Sequence, residues 1–282
     1  KSETTMPAKR LLLLVVLGAM CCEARLINGI RTTVRYREPS TSGLRQWISR
    51  ERQWTLGTND TAVVIVDMWD RHWCLTANQR FTALAEWINE TVSVARNLGF
   101  PIIHAPSDCQ DFYTGWPARE RVVALPFTEP PKERTRVDPP MPIDSSDGGC
   151  DWNSVPATTW TRENKLIYID NEKDFIIADN KTEAWNLYAH LGLRHVVYVG
   201  VALNMCVLHR NFAVEQAWRW GLQPLFNRDG IDAMYNPLMR PYVDHWEGTD
   251  LMVGYVESFW APSMSMYDLL DPTATVTMEV EE

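Results

Sequence analysis

Long apolar runs alternate with amphipathic stretches in the first half of the chain. The run TAVVIVD at 61–67 is apolar until its closing acid, which predicts a strand buried on both faces. From Asn78, apolar side chains recur every three or four residues as far as Gly99, which predicts an amphipathic helix with a glycine C-cap. The run at 100–105 predicts a second strand. A strand, helix and strand with short joins indicate a right-handed crossover in a parallel sheet.

The same alternation returns in the second half. Strands are expected at 165–169, 196–201 and 222–226, and helices at 182–191, 207–221 and 249–259. Pro224 suggests either an edge position or an irregular start for the last strand. The whole pattern predicts an α/β fold, a doubly wound, mainly parallel sheet of five or six strands with helices on both faces. In such sheets, ligands bind beyond the carboxyl ends of the strands.

The remaining segments lack this regularity. We expect one domain over 61–262, preceded by an irregular or short-stranded lead-in at 25–60 and followed by a loosely held tail at 263–282. Within the domain, nine prolines between 106 and 156 exclude long helices, so 106–160 is predicted to be a loop-rich insertion.

The N-terminus has the pattern of a secretory signal. A basic pair at 9–10 precedes ten largely apolar residues, too few to span a bilayer. Residues 1–24 are therefore expected to direct export to the periplasm or the extracellular space, with cleavage after Ala24. Lipidation at Cys21 or Cys22 is the alternative, although Met20 fits a lipoprotein motif poorly. Without a functional signal, the protein would be cytoplasmic.

Export would place the cysteines where disulfides persist. A pair is then expected among Cys74, Cys109 and Cys150, and the spacing does not decide which two residues form it. These residues show no CxxC spacing, so a structural zinc site has weak support.

Charge and composition narrow the partners. The formal net charge is −9, and no basic block occurs after the first residues, which argues against nucleic-acid binding. A hydrophobic content of 45% supports a full core. The expected partner is a small-molecule substrate, with no membrane contact beyond the N-terminal segment.

Three residues are expected to meet at the carboxyl edge of the sheet. Asp67 ends the first strand, Lys173 follows the third, and Cys206 lies where the fourth strand passes into a helix. A helix N-terminus favours a thiolate and offers amides for an oxyanion. Separately, Asp67 is explained as a turn residue or helix cap, Lys173 as a solvated charge and Cys206 as a buried hydrophobe. Together they make a base, a cation and a nucleophile.

These segments resemble the isochorismatase-like cysteine hydrolase superfamily, which includes nicotinamidases and related amidases with an Asp, Lys, Cys triad. The likeness lies in VVIVD at 63–67, in VGVALNMCV at 199–207, and in Lys173. Lys173 stands nine residues before Thr182, a spacing common in the family, and this spacing selects it over Lys165 and Lys181. The resemblance implies an isochorismatase-like three-layer fold and a homo-oligomer.

The resemblance also implies how the site works. Asp67 would take the thiol proton of Cys206, Lys173 would stabilise both charges, and the sulfur would form a thioester with a small carboxamide. A non-proline cis peptide is implied at Ala202–Leu203, with the amides of Leu203 and Cys206 forming the oxyanion hole. Two alternatives stay open: vinyl ether hydrolysis of the isochorismatase type, whose enzymes generally lack the cysteine, and a non-catalytic binding or scaffold protein.

Departures from the family bear on cofactor and substrate. Nicotinamidases hold a metal with an Asp and paired His, but residues 108–113 carry no histidine, so no cofactor or metal is expected. The acidic stretch at 144–151 lacks EF-hand spacing and is interpreted as a solvated turn. The candidate substrate contacts are Trp69, His72, Trp73 and Asn204; loop packing for the first three and a turn contact for Asn204 are the alternatives.

Overall fold

The computed structural model describes residues 25–42, 46–152, 160–265 and 267–280. The signal-like segment at 1–24 lies outside the described residues. Of the helices in the described part, none combines the length and the apolar character needed to cross a membrane.

The strands of the described residues form one nine-stranded sheet. In chain order they are β1 (Arg25–Pro39), β2 (Trp47–Gly57), β3 (Thr61–Val66), β4 (Ile102–Ala105), β5 (Phe175–Ile176), β6 (His195–Val201), β7 (Gln223–Asp232), β8 (Ser263–Met264) and β9 (Thr275–Val280). Their spatial order is β2-β1-β8-β7-β6-β3-β4-β5, and β9 pairs with β1. The six strands from β8 to β5 are parallel, so the predicted sheet is confirmed.

Helices cover both faces of this sheet. They are α1 (Leu75–Leu98), α2 (Pro117–Val123), α3 (Lys181–His190), α4 (Cys206–His209), α5 (Val214–Arg219), α6 (His245–Phe259) and α7 (Tyr267–Leu270). One apolar cluster joins the sheet to α1 through side chains such as Phe81 and Ile88. A second joins it to α3, α5 and α6 through Leu187, Ala217 and Val256. The result is the predicted three-layer arrangement.

Strong hydrophobic patterns match their elements. Every residue of β3 is buried, as expected for a central strand. Helix α1 begins three residues before the predicted Asn78 and ends at Gly99, whose φ of 102° and amide bonds to Ala95 and Arg96 make it the expected C-cap.

Three predicted elements are wrong in detail. Residues 165–169 form turns rather than a strand, since the Ile167 amide bonds back to the Asn164 carbonyl. The strand that pairs with β4 at this edge of the sheet is β5 instead. The helix expected at 207–221 is divided into α4 and α5. Pro224 lies in β7 between two neighbours, next to the start of the strand, and not on an edge.

The lead-in and the tail also differ from expectation. The lead-in forms a long antiparallel hairpin of β1 and β2, and the tail supplies β8 and β9 to the sheet. Much of β2 is exposed and rich in arginine and other polar residues, so its sequence carries little hydrophobic alternation. Backbone pairing with β1 forms this strand in spite of the weak pattern.

One disulfide closes the start of α1 onto the insertion. Cys74 and Cys150 are bonded, whereas Cys109 and Cys206 are free thiols. This pairing is one of those the spacing left open.

Candidate active site

Asp67 stands directly after β3, at the carboxyl edge of the sheet. It is fully buried, and its φ of 46° lies in the left-handed region that few residues other than glycine adopt. Its Oδ1 accepts a hydrogen bond from the Ser107 amide at 2.7 Å, and its Oδ2 accepts one from Arg210 Nε at 3.1 Å. Residues with such strained backbone conformations are concentrated at functional sites. The hydrogen bonds to both carboxylate oxygens hold the side chain in one orientation.

Gly200 lets the two central strands meet closely beside this carboxylate. It lies in β6 opposite Val66 of β3 with a φ of 111°, and a Cβ there would lie 2.2 Å from the Val66 carbonyl oxygen. Only glycine fits this close approach. The register of β6 against β3 therefore fixes Asp67 relative to the turn that carries Cys206.

Cys206 meets Asp67 across this edge. Its thiol and the Asp67 carboxyl are close enough to shift each other's pKa, and the half-buried side chain lines a cavity of about 480 Å³. Burial raises the pKa of the thiol well above its ordinary value, and the Asp67 charge raises it further. Both effects oppose the preference for a thiolate that a helix N-terminus provides, and α4 has only four residues.

The acidity of Asp67 is set by opposing effects. Burial raises the pKa of the carboxyl, while the Arg210 charge and the hydrogen bonds from Cys206 and Ser107 lower it, and the net direction is upward. A carboxylate with a raised pKa is a stronger base than an exposed one. The pair thus consists of a protonated thiol beside a carboxylate suited to receive its proton.

The cation at this site is Arg210. Besides Asp67, its guanidinium bonds to Asp179 Oδ2 at 2.9 Å and to Asp108 Oδ2 at 3.3 Å. Sequence reasoning missed Arg210 and the two outer carboxylates. The available signal was its position four residues after Cys206, which is one helical turn away.

Lys173 lies elsewhere. Its side chain is 68% exposed, and Nζ is 3.9 Å from Asp170 Oδ2. It is not among the main charges that shift the pKa values of Asp67 and Cys206. The next residue, Asp174, is buried against Arg96 and His104, which directs this turn away from the nucleophile. The structure thus joins Asp67 to Cys206 and leaves out the third predicted member.

The non-proline cis peptide is at Val201–Ala202, one bond before the predicted Ala202–Leu203. The Leu203 amide donates to the Asp232 carbonyl at 2.8 Å, so its predicted role in an oxyanion hole is wrong. The Ala202 backbone lowers the pKa of the Cys206 thiol, although burial and the Asp67 charge outweigh this effect. The Cys206 amide itself has no protein acceptor among the described residues.

The predicted substrate contacts make packing interactions. Trp69 stacks on Trp160 with ring centroids 3.9 Å apart, and its Nε1 donates to the Ser107 carbonyl. His72 is buried, and its ring lies tilted against that of Trp73 with the centroids 5.3 Å apart. Burial lowers the pKa of His72 to about 4. These three side chains pack the loop that follows Asp67.

Asn204 lines the cavity, but its side chain is bonded to the backbone just after β7. Its amide group exchanges two hydrogen bonds of 2.9 Å with the Met234 backbone. Both polar atoms of the side chain are thereby engaged in supporting the nucleophile turn.

The described residues do not fit the metal of nicotinamidases. Asp108, at the corresponding place, is bonded to Arg210 and has no neighbouring histidine pair. Among the described side chains, the metal-type grouping consists of Cys74, Cys150 and Asp151, whose two sulfurs are bonded to each other. Disulfide sulfurs are not thiolate ligands.

Comparisons with known proteins indicate the fold. No family model and no curated protein matches the sequence. A cysteine hydrolase from Pseudomonas syringae pv. phaseolicola is 12% identical, with a TM-score of 0.51 over 77% of this chain and 93% of that one. An isochorismatase family protein from Burkholderia thailandensis is 11% identical, with a TM-score of 0.47 over 74% and 93%.

A similar likeness links the chain to an isochorismatase from Pseudomonas putida, which is 12% identical with a TM-score of 0.45 over 74% of this chain and 90% of that one. The Pseudomonas syringae structure, whose TM-score exceeds 0.5, supports the fold assignment. The chain has the isochorismatase-like α/β fold.

Proposed function

We propose that the protein is a cysteine-dependent hydrolase of the isochorismatase-like superfamily that cleaves a small carboxamide or a related C–N bond through a thioester. The observation that carries this proposal is the shared carboxyl of Asp67. This carboxyl interacts with the Cys206 thiol and is bonded to the Arg210 guanidinium, and both of these partners line the cavity.

The first half of the reaction forms the thioester. Asp67 takes the proton of the Cys206 thiol while the sulfur attacks the amide carbon and the carbonyl electron pair moves to oxygen. The Cys206 amide is the donor we assign to this oxyanion. The C–N bond then breaks as Asp67 returns the proton to nitrogen, so that ammonia or an amine leaves.

The second half hydrolyses the thioester. The carboxylate of Asp67 takes a proton from water, whose oxygen attacks the thioester carbon. The C–S bond breaks, the acid is released, and the proton on Asp67 returns to the sulfur. The same carboxyl group acts as base and acid in turn, and the cycle needs no further cofactor.

We assign to Arg210 the role that the resemblance implied for Lys173. A guanidinium keeps its charge throughout the pH range of the reaction and can bond several carboxylates at once. By holding Asp67 on Oδ2, it orients the carboxyl group and favours its ionised form.

The test is ammonia or amine release from a panel of small carboxamides. The Cys206→Ala protein should show no turnover, while Cys109→Ala, which removes the other free thiol of the described residues, should keep the wild-type rate. Undiminished hydrolysis by Cys206→Ala would refute the proposal. Equal losses in both variants would show that the thiols act on folding rather than on catalysis.

We further propose that the protein works in an oxidising compartment, as the signal-like segment implies. The Cys74–Cys150 disulfide supports this proposal, because such bonds are rare in the reducing cytosol. Labelling of free thiols in the protein isolated from its native source should find both residues blocked. Free thiols at both positions would overturn it.

A further inference from the structure

A second cleft lies at the opposite edge of the sheet from Cys206. It has a volume of about 650 Å³, and among its lining residues are His195 at the start of β6 and Gln223 at the start of β7. Because β6 has seven residues, it separates this cleft from the nucleophile turn by roughly 20 Å. The volume is within the range of small-molecule sites.

The charge of this cleft is the reverse of that of the protein. Arg52, Arg134 and Arg194 line it, and no carboxylate does so among the described residues, although the chain as a whole carries a net charge of −9. Within the described part, Arg52 and Arg134 have no salt-bridge partner. Arg194 has only a contact of 3.9 Å with Asp60 and is 70% exposed.

Tryptophans form the walls and support the arginines. The guanidinium of Arg52 lies 4.7 Å from the Trp54 ring centroid, and that of Arg134 lies 6.0 Å from the centroid of Trp218. Trp218 in turn meets the buried Trp260 edge to face at 5.6 Å. A guanidinium that lies over an aromatic face is held there by the ring, and the N–H donors at its rim can still bond an anion.

The arginines are also held by the backbone. The Arg134 amide donates to the Arg219 carbonyl at 2.8 Å, and Arg134 Nη2 lies 3.4 Å from the Gly221 carbonyl oxygen. Arg52 stands in the middle of β2, paired across the hairpin with Val34. The Gly221 contact reduces the freedom that the Arg134 side chain would lose when a ligand binds, while strand pairing fixes the backbone of Arg52.

We propose that this cleft binds a small anion that carries an aromatic ring, with the anionic group on the Arg52 and Arg134 guanidinium groups and the ring against the tryptophan walls. Two unpaired cations supply the charge for a carboxylate or phosphate. The indole rings of the walls supply apolar surface for a planar ring beside the arginines. The site is independent of the proposed hydrolase activity.

The test is isothermal titration of the full chain with three probes. Naphthoate has both the ring and the charge, naphthalenemethanol has the ring alone, and acetate has the charge alone. We expect naphthoate to bind at least about tenfold more tightly than either of the others, since each lacks one class of contact. Its affinity should fall as salt is added. Equal binding of naphthoate and naphthalenemethanol would overturn the proposal.

Three variants locate the site. Arg52→Gln and Arg134→Gln should each weaken naphthoate binding about tenfold. The matched control is Arg50→Gln on the same strand, whose side chain pairs with Glu38 and does not line the cleft; it should bind as the wild type does. Thermal unfolding checks that each variant is folded. An equal loss in all three would contradict the assigned residues, as would loss of binding after alkylation of Cys206.

Discussion

Arg210 Nε lies 3.1 Å from Asp67 Oδ2, so the cation nearest the buried acid comes from the residue just after the nucleophile's own helix. The carboxylate is inaccessible to solvent, whereas the guanidinium is 21% exposed and extends to Asp108 and Asp179. This pair ties the end of β3 to the nucleophile turn and sets the charge of the site.

Exchanging the two candidate cations for glutamine separates their roles. We expect Arg210→Gln to lower kcat/KM about ten- to a hundredfold, because a charge-assisted bond to the base is lost. Lys173→Gln, the matched control, should change it less than about twofold, since that side chain is exposed and bonded away from the site. Steady-state kinetics on folded variants measures both, and a larger loss in Lys173→Gln would contradict the assignment.

Removal of the Arg210 charge should also move the pH dependence. That charge lowers the pKa of Asp67 against the effect of burial, so its loss raises the pKa further. The base is then ionised only at higher pH, and the acid limb of the kcat/KM profile in Arg210→Gln should shift upward. An unshifted or lowered limb would show that Arg210 does not act on the base.

Sequence patterns predicted the sheet better than the site. The all-apolar β3 and the Gly99 cap of α1 are local signals that tertiary packing leaves intact. The edge strand β2 escaped prediction because it is largely exposed and pairs only through its backbone with β1. The short β5 escaped prediction because its two residues carry no pattern of their own.

The two site residues that follow strands, Asp67 and Cys206, could be predicted to lie together. Asp67 and Cys206 follow adjacent parallel strands, so topology alone brings them together. The spacing of Lys173 from Thr182 places a backbone position but not the direction of a side chain, and Asp174 turns that segment toward Arg96. Arg210 was overlooked although the predicted helix already placed it one turn after Cys206.

Charge should select the reagents that reach Cys206. Three carboxylates, from Asp67, Asp108 and Asp179, surround the single guanidinium of Arg210. At low salt, the ratio of the alkylation rate with iodoacetamide to that with iodoacetate should therefore be about tenfold larger for Cys206 than for a small neutral thiol. Peptide mapping assigns the label to Cys206.

Two controls test that preference. It should shrink as salt is added and in Asp108→Asn, while Asp111→Asn, an exposed carboxylate without a bond to Arg210, should leave it unchanged. A preference equal to that of the free thiol would show that the carboxylates do not set the potential at the sulfur.

His104 should make stability fall as pH rises. Burial alone would lower its pKa, but Glu163 and Asp174, at 2.7 and 3.1 Å from its ring nitrogens, outweigh burial and raise the pKa to about 9. The folded state then holds a proton that the unfolded state releases near pH 6.5. The stabilisation is complete below pH 6.5 and is lost as pH rises through about 9.

Urea unfolding at pH 6 and at pH 9 measures this effect. The free energy of unfolding should fall between these values on the order of 1–3 kcal/mol more in the wild type than in His104→Gln. Equal changes in both proteins would mean that His104 does not hold the extra proton.

The disulfide should stabilise the fold measurably. Cys74 and Cys150 are separated by 76 positions. Closing a loop of that length lowers the conformational entropy of the unfolded chain, which stabilises the folded state by about 4 kcal/mol. The double variant Cys74→Ala, Cys150→Ala should lose a free energy of unfolding of that order, and reductant should destabilise only the wild type. Stability that is the same with and without reductant would contradict the bond.

The most direct test of the proposed chemistry is the mass of the protein during turnover. Acid quenching of the enzyme with a hydrolysed carboxamide should reveal an added acyl group that peptide mapping places on Cys206. Asp67→Asn should greatly reduce the adduct, because the thiol proton then has no carboxylate to receive it. Turnover with no adduct in rapid-quench samples, or an adduct on Cys109, would contradict nucleophilic catalysis by Cys206.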